Sequence, residues 1–140
     1  MSLYLDASVI LPTLVKEPSS SRVDGFMTDA TQVMLVSEFA SAETASALSR
    51  LVRTGILDSQ DAKERLEDFD AWRAAEASTV DVEGADARAA AVIVRRFDLM
   101  LRAPDALHLA ICRRRDAQLV TLDGRLAAAA GALGLTVVAL

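Results

Sequence analysis

Four acids, Asp6, Glu43, Asp105 and Asp123, are the residues whose types and spacing could carry chemistry. Carboxylates brought within a few ångströms of one another repel, and their pKa values rise unless a cation intervenes, so a pocket shared by these four implies a divalent ion. Oxygen ligands, with one cysteine and one histidine in the chain, point to Mg²⁺ or Mn²⁺ rather than Zn²⁺. A hard cation in such a site binds phosphate oxygens, activates water and stabilises in-line attack at phosphorus, which makes phosphodiester hydrolysis the natural reaction class. A metal-free mechanism with paired imidazoles is unavailable, because His108 has no second histidine. Ser8 and Thr121 each stand two residues from an acid, Asp6 and Asp123 respectively, and each hydroxyl can hold a carboxylate or a water on the metal.

Each of these residues also has an ordinary structural reading. Asp6 and Asp123 can cap the helices that follow them, and Asp105 can serve the dipole of its own helix. Glu43 can sit at the edge of an apolar stripe with its head in water, and His108 can be a hydrogen-bonded histidine at the core boundary. Convergence of two strand ends, one helix start and one inward-leaning glutamate on a single pocket is what separates the two views.

The elements that must position the acids follow from patterning. Ser2 to Leu5 reads as a strand that runs into Asp6, and Ala7 to Leu11 as a short helix that Pro12 interrupts or bends. The loop Pro18 to Ser21 leads into a helix from Arg22 to Ala30, and Gln32 to Val36 forms a second strand. Ser37 caps a helix reaching about Arg53, which carries Glu43 on one face with Phe39, Ala40, Ala47 and Arg50 and closes at Gly55. Asp58 to Asp61 opens a helix from Ala62 to about Ala77, Thr79 to Val82 is extended, and Ala85 to Phe97 is helical with Val92 and Ile93 buried. Pro104 suits the first position of a helix, which puts Asp105 in its first turn and continues from Ala106 to Arg115. Gln118 to Leu122 is a strand ending at Asp123, Gly124 to Ala130 a helix, and Thr136 to Leu140 a last strand. Strands separated by helices imply a parallel sheet with right-handed crossovers, and ligands of such sheets gather outside the carboxyl ends of the strands.

The 140 residues suit one domain, 1–140, with a core that needs no staple. Alanine supplies 26 of them, which favours closely packed helices over a thick aromatic core. The lone Cys112 excludes an intrachain disulfide and a thiolate cluster and reads as a buried thiol in a reducing compartment. No secretory leader and no apolar run near a membrane span is present, so a cytoplasmic protein without membrane attachment is expected. The net charge of −5 argues against a broad basic face that wraps duplex nucleic acid. Arg95-Arg96 and Arg113-Arg114-Arg115 are either local phosphate contacts or solvated helix faces. No glycine-rich phosphate loop occurs.

The segments YLDASVILPTLVKE, SEFASAETASAL, LRAPDALHLA and LVTLDGRLAAAA, in this order, resemble the PIN-domain ribonucleases, most closely the VapC toxins of VapBC toxin/antitoxin pairs. The resemblance spans essentially the whole chain. It implies an α/β, PIN-like three-layer fold with a short central parallel sheet flanked by helices. It also implies that Asp6, Glu43, Asp105 and Asp123 bind Mg²⁺ or Mn²⁺ for endoribonuclease cleavage, with Ser8 and Thr121 as supporting polar residues. A homodimer is implied, as is a VapB-like antitoxin whose C-terminal segment lies across the active-site groove, as in a type II toxin/antitoxin pair. The non-enzyme alternative is a catalytically silent PIN-like interaction protein that binds a partner without turnover. A phosphoacceptor receiver domain would need a late lysine, whereas the lysines are Lys16 and Lys63; a haloacid-dehalogenase-type phosphatase would want Asp-x-Asp where the chain has Asp6-Ala7-Ser8.

Overall fold

A computed structural model describes residues 1–140. Five short strands, β1 (Leu3–Leu5), β2 (Met34–Ser37), β3 (Ala77–Val80), β4 (Gln118–Val120) and β5 (Val137–Val138), pair in parallel in the order β3-β2-β1-β4-β5. The chain winds outward from β1 through β2 to β3, then crosses over to place β4 on the other side of β1. The order therefore reverses between β1 and β4, where Leu5 pairs with Val120. That switch point opens a crevice at the carboxyl ends of the strands.

Alternation along the strands builds two cores. Leu3, Leu5, Met34, Val36 and Val120 face one layer, formed by α1 (Ala7–Leu14), α2 (Ser20–Asp29), α3 (Glu38–Arg53) and α4 (Ser59–Glu76). Tyr4, Leu35, Val80 and Leu119 face the other, formed by α5 (Gly84–Val94), α6 (Ala103–Arg114) and α7 (Gly124–Ala132). This is the expected three-layer arrangement of helices on both faces of a short parallel sheet. Small side chains such as Ala90, Ala106 and Ala110 fill the α5–α6 side of that core, as the alanine content anticipated.

Several boundaries differ from the sequence reading for identifiable reasons. Pro12 does not end α1, which runs on to Leu14 with the ring buried; Ser20 donates its hydroxyl proton to the Pro12 carbonyl from the start of α2. The third strand starts at Ala77, not Thr79, because pairing of Met34 with Ala77 through Ser37 with Val80 sets its register. Helix α5 stops at Val94, three residues short of Phe97, where a single 3₁₀ turn, Phe97–Leu99, takes over. Val92 is on its outer face, 65% exposed, while Ile93 is buried as expected. Pro104 is the second residue of α6, so Asp105 is the third. The Ser37 cap of α3 is present, accepting the Ala40 N–H at 3.0 Å, and Gly55 beyond the helix has φ of 78°.

Candidate active site

Asp6 follows β1 directly and lies at the switch point, 5% exposed. Both carboxylate oxygens are held by hydroxyls: Ser8 Oγ donates to Oδ1 at 2.6 Å and Thr121 Oγ1 donates to Oδ2 at 2.8 Å. The hydroxyls are held in turn, Ser8 Oγ by the Leu122 N–H at 2.9 Å and Thr121 Oγ1 by the Asp123 N–H at 3.0 Å. The turn after β4 is thus laced to the turn after β1 through these two side chains, the two singled out from sequence. Burial pushes the Asp6 carboxyl above the usual carboxylate range; the two hydroxyls work against that rise and the Glu43 charge adds to it. Asp6 forms no salt bridge.

Asp123 is the N-cap of α7, with Oδ1 accepting from the N–H groups of Arg125 at 2.9 Å and Leu126 at 3.2 Å. Its backbone is fixed at the switch point by Thr121, while its side chain is exposed. Asp105 closes the first turn of α6, where its Oδ2 accepts the Arg102 N–H at 3.1 Å. The Asp123 cap expected from sequence is therefore real, whereas Asp6, at the N-cap of α1, makes no side-chain capping bond because both its oxygens are taken by Ser8 and Thr121. Asp105 and Asp123 each employ one carboxylate oxygen at a helix start.

Glu43 leans from α3 onto His108 of α6, its Oε1 in hydrogen-bond contact with Nε2. His108 is buried, one helical turn beyond Asp105. Its Nδ1 is 2.7 Å from the Tyr4 hydroxyl, which is 2.8 Å from Ser37 Oγ. The expected core-boundary histidine is thus found, and its contact with Glu43 brings α3 and α6 together at the sheet edge. Tyr4 was not singled out from sequence, and Ser37 only as the cap of α3. A signal existed: Tyr4 is the only tyrosine and sits in an aliphatic strand.

The structure joins Asp6 to Ser8 and Thr121, and Glu43 to His108. It leaves Asp105 and Asp123 on their own helix ends, and no three Asp, Glu, His or Cys side chains are gathered closely enough to hold an ion. The donor set still suits a hard cation: Asp6 is a buried anion without a cationic partner, and its neighbours are oxygen donors. An open groove of about 400 Å³ runs from Ser8 and Glu43 along α3 to Arg50 and Arg53. A larger cleft of about 720 Å³, lined by Met27 and Trp72 among others, reaches none of the four acids.

The arginine triplet divides between roles. Arg114 grips the buried Asp86 through Nε at 2.7 Å and Nη2 at 2.9 Å, so it anchors α6 to α5 and is not a free phosphate contact. Arg96 pairs with Asp98 at 2.8 Å. Cys112 is a buried thiol, as expected, pushed up to about 12 by burial. No helix is long and apolar enough to cross a membrane.

Residues 3–132 match the family model of the PIN domain. The fold superposes on Mycobacterium tuberculosis VapC20, described as a sarcin-ricin loop cleaving toxin, with a TM-score of 0.72 at 18% identity, covering 91% of this chain and 95% of that one. DNA-bound VapBC from Salmonella typhimurium gives 0.71 at 14% identity over 99% and 97% of the two chains. FitAcB from Neisseria gonorrhoeae gives 0.69 at 17% identity over 98% and 96%. No curated protein sequence matches the chain with significance.

Proposed function

Because the chain belongs to the PIN-domain family, we propose that it is a metal-dependent endoribonuclease and the toxin of a toxin/antitoxin pair. Asp6 carries this reading: a carboxylate buried at the switch point of a parallel sheet, held by two hydroxyls and balanced by no cation. In this role Asp6, Glu43, Asp105 and Asp123 hold Mg²⁺ or Mn²⁺. Bound there, the ion supplies Lewis-acid stabilisation of phosphate charge and activation of water.

The protein's own contribution is placement. Ser8 and Thr121 fix both oxygens of Asp6, so its orientation is set before any ligand arrives. Glu43, Asp105 and Asp123 each have one oxygen engaged by a hydrogen bond and a second that accepts none. Asp105 and Asp123 thus keep their helix-start bonds on one oxygen and have the other for the ion. Arg50 and Arg53 line the groove beside Glu43 and supply cations for the phosphates of a single RNA strand, which explains how an acidic chain can hold RNA locally.

Neighbours in the solved structures include VapBC and FitAB complexes and a toxin-antitoxin complex from Klebsiella pneumoniae. They support a VapB-like antitoxin as the cognate partner; a C-terminal antitoxin segment across the groove and a homodimer as the working form belong to the same reading through the family resemblance. The test is incubation of the purified protein with a cellular RNA pool in Mg²⁺, in Mn²⁺ and in EDTA, with mapping of new ends. Discrete metal-dependent ends that vanish in Asp6→Asn are expected. Identical end profiles in all conditions would leave the silent interaction protein as the better reading.

A further inference from the structure

We infer that His108 is a positioning residue for Glu43, locked in its Nε2–H tautomer by a buried hydroxyl chain that starts at Ser37. The inference rests on the nuclease reading for its purpose, though not for its geometry.

The direction of the chain follows from counting donors. Ser37 Oγ already accepts the Ala40 N–H at 3.0 Å, and its other hydrogen-bond partner is the Tyr4 oxygen at 2.8 Å, so its own proton goes there. Tyr4 must then direct its O–H at His108 Nδ1, 2.7 Å away. The phenol keeps that proton, since burial raises its pKa. A nitrogen that accepts from a hydroxyl carries no hydrogen, so the imidazole proton resides on Nε2, the atom facing Glu43 Oε1. In the opposite sense Ser37 would be left with a proton and no acceptor, at a fully buried position.

The ring has little freedom to turn away. Its centroid lies 5.0 Å from that of Phe39 and 5.8 Å from that of Tyr4, and the side chain is 4% exposed. Glu43, by contrast, is 33% exposed on a helix face beside the groove. Without His108 its carboxylate would sample several rotamers in water. With His108, Oε1 is pinned and Oε2 is free of hydrogen bonds. This is the arrangement by which a carboxylate ligand is oriented by a donor that never touches the metal.

His108 is the only histidine, so its two ring nitrogens can be read without assignment in a long-range ¹H–¹⁵N spectrum. The expected pattern is a hydrogen on Nε2 and none on Nδ1, the nitrogen that accepts from Tyr4. The companion measurement is Mn²⁺ affinity, from the EPR signal of free Mn²⁺, for wild type, His108→Leu, His108→Gln and Tyr4→Phe. His108→Leu should weaken Mn²⁺ binding by about 10- to 100-fold. His108→Gln should recover most of it, because its amide offers a donor and an acceptor about as far apart as the ring nitrogens. Tyr4→Phe should fall between and show a mixed tautomer. An Nδ1–H ring, a folded His108→Leu that binds Mn²⁺ as tightly as wild type, or a Gln variant no better than Leu would overturn the inference. If His108→Leu does not fold, Tyr4→Phe and the wild-type spectrum still decide it. A wild type that binds no Mn²⁺ would defeat the nuclease reading instead, and the tautomer would then judge the hydroxyl chain alone.

Discussion

Removing the charge of Asp6 should make the metal-free protein more stable and the metal-loaded protein less so. A carboxylate whose pKa is raised by folding opposes the folded state at every pH above its unfolded value near 4, so its ionised form destabilises the protein at pH 7. In Asp6→Asn that burial penalty, of the order of several kcal/mol for an uncompensated charge, is relieved. Against it stand two hydrogen bonds from Ser8 and Thr121 that lose their charge assistance, about 1 kcal/mol each. The hydroxyls can adapt: Ser8 Oγ and Thr121 Oγ1 lie 3.2 Å apart, so one can donate to the other while accepting from the new amide. A net gain of about 1 kcal/mol is expected. With an unfolding entropy of about 0.3 kcal/mol/K for a chain of this length, that is a rise of about 3 °C in Tm. Wild type at a metal concentration of 100 times its Kd should gain about 2.7 kcal/mol, or about 9 °C, a gain the variant forfeits. Thermal melts by circular dichroism in EDTA and in Mn²⁺ should therefore cross in order. Asp123→Asn is the control: that side chain is exposed and asparagine caps a helix equally well, so its EDTA melt should stay within about 2 °C of wild type. An Asp6→Asn protein that melts lower in EDTA, or shows the same metal shift as wild type, would refute the reasoning.

Arg50→Ala should raise KM for a single-stranded RNA substrate and flatten its salt dependence, with kcat little changed, because the guanidinium lines the groove but pairs with none of the four acids; initial rates at two ionic strengths check this. Arg114→Ala should cost about 2 kcal/mol in urea unfolding at pH 7, since it removes two charge-assisted hydrogen bonds to Asp86. The Arg114 guanidinium holds the Asp86 carboxyl below the usual range. The stability it adds is present above the unfolded value near 4 and is lost as pH falls through the depressed one, so Asp86→Asn should lose less stability than wild type between pH 4 and pH 2.

Much of the site was legible because it is local in sequence. Asp6 and Asp123 stand just beyond short apolar strands, and Ser8 and Thr121 are two residues from them, so alternation and spacing alone pointed to all four as candidates, and hydrogen bonds tie them to one another. The parallel pairing followed from strands alternating with helices, whereas the strand order, with its reversal between β1 and β4, came only with the structure. What escaped was set by partners far along the chain. The contact of His108 with Glu43 spans 65 residues and that of Arg114 with Asp86 spans 28, and no local pattern encodes either. Val92 looked buried because it adjoins Ile93 in an apolar run, yet the helix phase points only one of them inward. The start of β3 at Ala77 reflects its pairing with Met34, which overrides the β-branched preference of Thr79 and Val80.

The convergence of the acids on one hard cation is tested most directly by anomalous diffraction from crystals grown with Mn²⁺. A single strong peak is expected at the switch point between β1 and β4, within about 2.5 Å of an Asp6 oxygen, with oxygens of Asp123, Asp105 or Glu43 completing the shell directly or through water. Crystals at saturating Mn²⁺ that show no peak there, or peaks only at scattered surface carboxylates, would contradict it.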